Sequence, residues 1–163
     1  MHVMYSRKLK LRYGVALHSV VEHPFVSFKT EKQLKKFLQY SVGNVPDTVV
    51  SMLWRKLHSN TVIARFRRWL ASKLREGYRI LVEKPLFIPS SRGKLYVVRP
   101  DIVLINHSKK SVIIIEVKSK THFRKSQLRK YARAYRKLLG PTYNIRTLKL
   151  IVGKNLFEEI NLQ

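Results

Sequence analysis

Apolar residues recur at helical spacing in the first half of the chain and form short continuous runs in the second half. The clearest helical pattern starts at Asn60 or Thr61 and stops at Gly77, and its apolar residues fall on one face. That face consists of Val62, Ile63, Phe66, Leu70 and Leu74. Two shorter helices are predicted before it, over residues 30–40 and 48–58.

Capping residues support the two shorter helices. Thr30 and Gln33 have the spacing of a capping box, in which two side chains satisfy free N–H groups at a helix start. Asp47 precedes the second helix and is a residue type that accepts a hydrogen bond from such groups. Residues 9–28 are ambiguous and are compatible with one or two short strands.

The second half of the chain predicts a sheet. Runs of β-branched and aliphatic residues there are typical of buried strands. The predicted strands cover residues 78–88, 94–105, 111–118 and 147–152. A helix from Ser126 to Leu139 precedes the last strand, and a short helix is predicted after Asn155. This order of elements predicts an α/β fold, with a mixed central sheet flanked by helices.

The composition adds a strong positive charge. Lys and Arg number 34 against 9 Asp and Glu, so the net charge is +25, far above the magnitude of about 2–8 usual for a small domain. We expect this charge to bind a polyanion, with nucleic acid first and an anionic membrane surface second. The chain has no cysteine and no apolar run near the ~20 residues that span a bilayer. These features predict an intracellular protein, in the cytoplasm or in a host's cytoplasm, without a membrane partner.

Two acids lie in the most hydrophobic hairpin. With a turn at residues 107–110, Asp101 is directly opposite Glu116, and directly opposed like charges destabilise a sheet. Either the acids lie at a strand edge in water, or they share a divalent cation. Lys118 faces the same side as Glu116 because strand side chains alternate. Together with the excess of phosphate-binding charge, this favours Mg²⁺ or Mn²⁺ between the carboxylates.

The same residues resemble a known nuclease signature. PD at residues 100–101, a spacer of fourteen residues and EVK at residues 116–118 are similar to the motif of the PD-(D/E)xK superfamily. Gln127 and Tyr131 resemble the Gln-x-x-x-Tyr helix of its RecB-like branch, which includes CRISPR adaptation exonucleases and nucleases of archaeal viruses. The resemblance covers about residues 55–152 and implies a restriction-endonuclease-like fold.

The resemblance implies one nuclease domain over residues 1–163, with residues 1–54 as an N-terminal extension of helices or strands. It also implies a catalytic set. Its members are Asp101, Glu116, Lys118, Gln127 and Tyr131. Asp101 and Glu116 would hold the metal with the backbone carbonyl of Val117, and Lys118 would assist the attacking water or the developing charge. The last two members of the set would position the DNA backbone or the catalytic groups.

The fourth metal ligand is open between His58 and Glu83. Some members of the superfamily have a metal-binding histidine near the first core helix, as His58 is here. Glu83 precedes Pro85, as in the acid-and-proline strand common in the branch. Taken alone, a histidine such as His58 is more often a surface or capping residue, and Glu83 is equally compatible with a salt-bridged residue of a strand. The first core helix offers only Glu76 where many members have an internal glutamate, and the cysteines of their iron–sulfur cluster are missing.

A long segment without acids follows the motif, from Val117 to Phe157. Because solvated faces usually mix both signs of charge, we predict a phosphate track with little sequence preference. The predicted DNA-binding residues are Lys120, Arg124, Lys125, Arg129, Lys130 and Arg133. The sequence thus predicts a metal-dependent DNA nuclease acting on single-stranded, duplex or branched DNA, as a monomer or a homodimer. A Holliday-junction resolvase-like endonuclease and a non-catalytic nucleic-acid-binding protein are the alternatives.

Overall fold

The computed structural model describes residues 2–59, 61–120 and 123–163, except for the side chains of residues 2–6. The chain divides between Ala71 and Ser72 into two compact units. The first unit consists of helices, and α4 continues across the division. The helices are α1 (His2–Glu22), α2 (Glu31–Val42), α3 (Asp47–His58) and α4 (Val62–Arg75).

Helix α1 replaces the short strands considered for residues 9–28. Valines in this segment favour strands by propensity, but the buried residues follow the helical spacing. They are Ala16, Leu17, Val20 and Val21. Helix α1 packs against α2 and α3, so burial of this stripe outweighs the local preference of its β-branched residues.

Helices α2, α3 and α4 confirm the three helices predicted for this unit. Their first residues differ in detail from the prediction. The Thr30 hydroxyl accepts a hydrogen bond from the Gln33 N–H at 3.2 Å, as the capping box predicts. Asp47 is the first residue of α3 rather than its cap, since Pro46 occupies the cap position. Asn60, the other candidate cap of α4, lies outside the described residues.

The second unit contains a five-stranded sheet in the order β1-β4-β5-β6-β7 and a separate two-stranded ribbon formed by β2 and β3. Strands β5 and β6 are parallel, whereas the other pairs are antiparallel. This mixed sheet confirms the predicted α/β class. The strands are β1 (Arg79–Val82), β2 (Leu86–Pro89), β3 (Leu95–Val98), β4 (Ile102–Asn106), β5 (Ser111–Lys118), β6 (Asn144–Ile151) and β7 (Leu156–Glu159).

Two predicted strands are each broken in the structure. The segment 78–88 divides at residues 83–85, and the segment 94–105 divides at residues 99–101. Pro85 and Pro100 have no N–H for a sheet ladder, and Glu83 has a left-handed backbone with φ of 46°. In the sequence, the ribbon of β2 and β3 is therefore an insertion between β1 and β4, which pair directly with each other in the main sheet.

The predicted helix after Asn155 is wrong, because β7 follows instead. Asn155 has a left-handed φ of 50°, which ends a short 3₁₀ helix (Val152–Lys154) and reverses the chain. Strand β7 then pairs with β6 in an antiparallel ladder from Leu156 opposite Ile151 to Glu159 opposite Leu148. The segment is too short to be stable as an isolated helix, and the ladder satisfies its backbone groups.

Helix α5 (Lys125–Leu139) packs on one face of the sheet. Its first residue precedes the predicted cap Ser126, and Arg124 holds the cap position without a side-chain hydrogen bond. The face of α5 that meets the sheet consists of Leu128, Tyr131, Ala134 and Tyr135, which are buried with Val112 and Ile114 of β5. All residues of β4 are buried, so the central strands form a rigid support for the residues at their ends.

Gly153 allows the chain after β6 to approach the end of β5. Its N–H donates to the Ser119 carbonyl at 2.9 Å, and a Cβ at this position would lie only 2.6 Å from that oxygen. We expect Gly153→Ala to lower the free energy of unfolding by about 1–3 kcal/mol, because the two segments must separate. Urea unfolding measures this change.

Gly14→Ala is the matched control, since Gly14 lies within α1 and an added Cβ there meets nothing within 4 Å. That variant should be unchanged or more stable, by up to about 1 kcal/mol, because alanine favours a helix. Equal stability of the Gly153→Ala variant and the wild type would show that the close approach is not required.

Candidate active site

The β4–β5 hairpin has the predicted register, in which Asn106 pairs with Ser111 and Ile102 pairs with Ile115. One position beyond that last pair, Asp101, which precedes β4, is opposite Glu116 of β5 on the same side of the sheet. This is the side covered by α5, since Ile114, two positions before Glu116, belongs to that core. The register prediction is therefore confirmed.

Strand β1 brings a third acid to the same end. Val82 pairs with Ile102, and at the next position the Glu83 N–H donates to the Asp101 carbonyl at 2.9 Å. A carboxylate oxygen of Glu83 lies within 4.8 Å of one of Asp101. Glu83 keeps a left-handed backbone here, a conformation that costs a non-glycine residue roughly 1 kcal/mol or more and is often found at functional sites.

The row of charges continues across the sheet on the other side of Glu116. Lys149 of β6 is opposite Glu116 in the parallel ladder, and Glu158 of β7 is opposite Lys149. Side chains at opposed positions share one face of a sheet. A charged row therefore crosses all five strands at one level, and it comprises Glu83, Asp101, Glu116, Lys149 and Glu158.

Asp101 is fixed by a backbone hydrogen bond. Its Oδ2 atom accepts from the Val117 N–H at 2.7 Å. Asp101 precedes β4, so its carboxylate provides the acceptor for this N–H beyond the last pair of the β4–β5 ladder. The side chain is half-buried. A charged acceptor on a backbone N–H is a strong and directional contact, and it sets the orientation of this carboxylate toward Glu116.

Glu116 is a buried carboxylate, with only 2 % of its surface exposed. Its Oε1 atom lies 2.7 Å from Nζ of Lys118, whereas Oε2 has no hydrogen-bond partner among the described residues. Burial, and then the negative charge of Asp101, raise the pKa of Glu116 to about 7 against the opposing effect of Lys118.

Gln127 and Tyr131 of α5 form a hydrogen-bonded pair next to these acids. Nε2 of Gln127 donates to the Tyr131 hydroxyl at 2.5 Å, and that hydroxyl donates to the Arg99 carbonyl at 3.2 Å. Burial raises the pKa of Tyr131, and the charges of Glu116 and Asp101 add to the effect. The predicted catalytic residues therefore lie together, with α5 anchored to the segment that leads into Asp101.

The two candidates for a fourth ligand lie in different surroundings. His58 is the last residue of α3 in the helical unit, where its ring is 3.7 Å from that of Trp54 and its Nδ1 is 2.8 Å from the Trp54 carbonyl oxygen. These are the contacts of a residue that closes a helix end. Glu83, by contrast, is joined directly to Asp101.

The donor set suits a hard divalent cation. Mg²⁺ and Mn²⁺ prefer carboxylate oxygens. Carboxylate oxygens of Asp101 and Glu83 lie within 4.8 Å of each other, and Glu116 is at the position opposite Asp101. The buried Oε2 of Glu116 without a hydrogen bond is an atom that a cation would satisfy. These three residues could hold the ion. The Val117 N–H orients Asp101, and the role of the Val117 carbonyl as a ligand stays a prediction.

The predicted DNA-binding residues form an exposed basic surface that leads away from this site along α5. All six are exposed, and they are Lys120, Arg124, Lys125, Arg129, Lys130 and Arg133. Nε of Arg129 donates to the Leu162 carbonyl at 3.2 Å, and Nζ of Lys130 lies 5.7 Å from the ring centre of Tyr96. These two contacts hold part of the basic surface in place.

Sequence reasoning missed Lys149 and Glu158. Nζ of Lys149 is 3.0 Å from Oε1 of Glu158 and 5.1 Å from the ring centre of Phe123. Lys149 occurs within the predicted strand 147–152, but its position opposite Glu116 depends on the parallel register of β5 and β6. Helix α5 connects β5 to β6 in the sequence, as a parallel pair requires. Hydrophobic periodicity alone does not define the register of such a pair.

Comparison with protein families places the chain in one of them. The MJECL32 domain family matches residues 60–161, and this match covers more than half of the sequence, so the chain belongs to that family. The matched region includes α4, the whole sheet and the charged row. No curated protein has a sequence that matches the chain. None of the helices in the described residues combines the length and apolar character needed to cross a bilayer.

Proposed function

We propose that this protein is a metal-dependent DNA nuclease with little sequence preference. The observation that carries the proposal is the buried Glu116 carboxylate, whose Oε2 has no hydrogen bond in the described part of the chain and which shares a sheet face with Asp101. A buried carboxylate oxygen without a hydrogen bond, next to a second acid, is unfavourable unless a cation binds there. The resemblance of residues 100–101 and 116–118 to the PD-(D/E)xK motif supports the same chemistry.

A divalent ion held by these acids would lower the pKa of a bound water and offset charge on a phosphodiester. The chain's own residues account for the rest of the site. Asp101 and Glu116 keep their separation because Asp101 directly precedes the buried strand β4 and Glu116 lies within the buried strand β5. The Lys118 ammonium, 2.7 Å from Glu116, is placed to orient the attacking water or to stabilise negative charge on the phosphate. Tyr131 and Gln127 hold the chain before Asp101 in position.

The basic surface along α5 supports DNA as the substrate. Arg133 is exposed and lies on the face of α5 away from the core, two turns beyond the helix start. If each basic side chain there neutralises one phosphate, Arg133→Gln should reduce the slope of log K against log salt by about 0.9 on duplex DNA. Fluorescence anisotropy at several salt concentrations measures this slope.

Lys36→Gln provides the control for charge alone, because Lys36 is exposed on α2 of the helical unit. That variant should leave the slope unchanged. An equal fall in slope for both variants would mean that the positive charge acts diffusely and that α5 is not a phosphate track.

The proposal is tested with purified protein and end-labelled single-stranded, duplex, flap and four-way-junction DNA, in Mg²⁺, in Mn²⁺ and in EDTA. We expect cleavage with either metal and none in EDTA. Preferred cleavage of the junction by a dimer would favour the resolvase-like alternative. Tight binding without cleavage on every substrate would contradict the nuclease and favour a non-catalytic nucleic-acid-binding protein.

A further inference from the structure

The ribbon of β2 and β3 has an apolar outer face that solvent reaches. Side chains of its two strands alternate between a buried and an exposed side. A surface strand normally presents polar residues on its solvent side, but here every outer residue is apolar. The outer residues are Phe87, Pro89, Leu95 and Val97, with exposed fractions of 60 % for Phe87, 68 % for Leu95 and 47 % for Val97.

The opposite side of the ribbon is firmly seated. Ile88 and Val98 belong to the core beneath α5, and Nζ of Lys137 donates to the Pro89 carbonyl at 2.6 Å. Phe87 and Val97 are directly paired across the two strands. The outer face is therefore a pre-arranged platform, so a ligand would not have to order it on binding.

The charge around this platform is of one sign. The segment 84–100 contains Lys84, Arg92, Lys94 and Arg99 and no acid, and all four cations are exposed. An apolar platform with an aromatic ring and a cationic rim suits unpaired nucleic-acid bases, which stack on rings while their phosphates meet the cations. A second copy of this chain would meet the rim with its own net charge of +25 and is disfavoured.

The tip of the ribbon argues against a lipid surface. The tip is the turn at residues 90–94, which contains Ser90, Ser91, Arg92, Gly93 and Lys94. This tip is polar, and the apolar residues lie along the outer face of the two strands and not at their end. The geometry favours planar bases against Phe87.

The ribbon also starts and ends at the candidate site. Glu83 precedes it and Asp101 follows it, with carboxylate oxygens within 4.8 Å of each other. Phe87 is four residues beyond Glu83, a reach of at most about 13 Å in extended chain. A base stacked on Phe87 would thus be only a few nucleotides from a phosphate at the acids.

We propose that the outer face of the β2–β3 ribbon binds unpaired bases of a DNA strand, with Phe87 as the stacking residue. The inference rests on the proposed function for the position of the reacting phosphate, but the binding itself needs no catalysis. It gives the nuclease a preference for single-stranded or frayed DNA over a closed duplex.

The experiment measures binding in EDTA, so that cleavage plays no part. Phe87→Ala should weaken binding of a 20-nucleotide single strand by about 5-fold to 100-fold, the effect of losing one stacked base. Binding of a blunt duplex of equal length should change by less than about 2-fold. Phe87→Trp should retain single-strand binding, whereas Phe87→Leu should resemble alanine because it keeps apolar area but loses the ring.

A stacking readout distinguishes this role from a general structural one. Fluorescence of 2-aminopurine placed in the single strand should be quenched by the wild type and the Phe87→Trp variant and should stay unquenched with Phe87→Ala. Tyr40→Ala is the control, since Tyr40 is 83 % exposed on α2 of the helical unit, and it should bind like the wild type.

Three outcomes would overturn the inference. They are unchanged single-strand binding by Phe87→Ala, equal losses of binding on single strand and duplex, and a loss of binding by Phe87→Ala that occurs only with vesicles of anionic lipid and not with DNA.

Failure of this inference is distinct from failure of the proposed nuclease function. If Asp101→Asn abolishes cleavage while Phe87→Ala binds normally, only the ribbon is wrong. If no metal supports cleavage but Phe87→Ala loses single-strand binding, the ribbon's role is supported without the nuclease.

Discussion

Asp101→Asn should lower the rate of Mg²⁺-dependent DNA cleavage by about 100-fold or more while leaving the fold intact. The amide keeps the acceptor for the Val117 N–H, which Oδ2 now receives at 2.7 Å, but it removes the negative charge that the ion needs. Metal catalysis of phosphodiester hydrolysis is worth several kcal/mol, and each factor of ten corresponds to about 1.4 kcal/mol. Single-turnover cleavage of labelled DNA measures the loss.

Asp47→Asn is the matched control. Asp47 is the only other aspartate in the chain, and it is exposed and paired with Lys35 at 2.7 Å. This variant should cleave at the wild-type rate and show the same thermal unfolding. Cleavage by Asp101→Asn at the wild-type rate would remove Asp101 from the active site.

The second large effect concerns stability as a function of pH. The pKa of Glu116 is raised from 4.5 to about 7 by burial and by Asp101, so the folded chain holds the proton more tightly than the unfolded chain. Its contribution to stability is fully present below about pH 4.5 and is lost as the pH rises through 7. The loss should reach about 3 kcal/mol above that pH, because each unit of pKa corresponds to about 1.4 kcal/mol.

Glu116→Gln isolates this effect, since an amide does not titrate. Urea unfolding from pH 4 to 9 in EDTA should show the wild type losing stability relative to the variant across that range. Adding Mg²⁺ or Mn²⁺ at pH 8 should restore part of the wild-type stability and leave the variant unchanged, because only the folded carboxylate pair binds the ion. Parallel pH curves for the two proteins would contradict the account.

Glu159→Gln serves as a control with the opposite direction. Arg146 lowers the pKa of Glu159, with Nε and Nη2 of the guanidinium at 3.0 and 2.8 Å from its carboxylate oxygens. The stability that Glu159 contributes is therefore present above its unfolded pKa and is lost as the pH falls. Its removal should not reduce the loss of stability between pH 5 and 8 that we assign to Glu116.

The sequence was sufficient for the central hairpin because two local features fix it. Continuous apolar runs define the two buried strands β4 and β5, and a turn at residues 107–110 sets the register. The Lys110 N–H does donate to the His107 carbonyl at 3.2 Å. Given those two features, the meeting of Asp101 and Glu116 follows without further information.

Other parts of the site depend on contacts between distant segments. The position of Lys149 opposite Glu116 depends on a parallel pair whose strands are joined through α5. The separate ribbon depends on breaks at residues 83–85 and 99–101, where prolines within β-rich sequence gave the only sign. Strand β7 needs β6 as a partner, so its sequence alone is compatible with a short helix. In each case the decisive interaction is tertiary.

The most direct test of a metal at Asp101 and Glu116 is a titration of the protein with Mn²⁺, followed by the electron paramagnetic resonance signal of the free ion. The wild type should remove Mn²⁺ from solution in a saturable way at pH 8, and Mg²⁺ should compete with it. The double variant Asp101→Asn and Glu116→Gln should leave the free-ion signal unchanged. Equal Mn²⁺ binding by both proteins, or none by the wild type, would contradict the metal site.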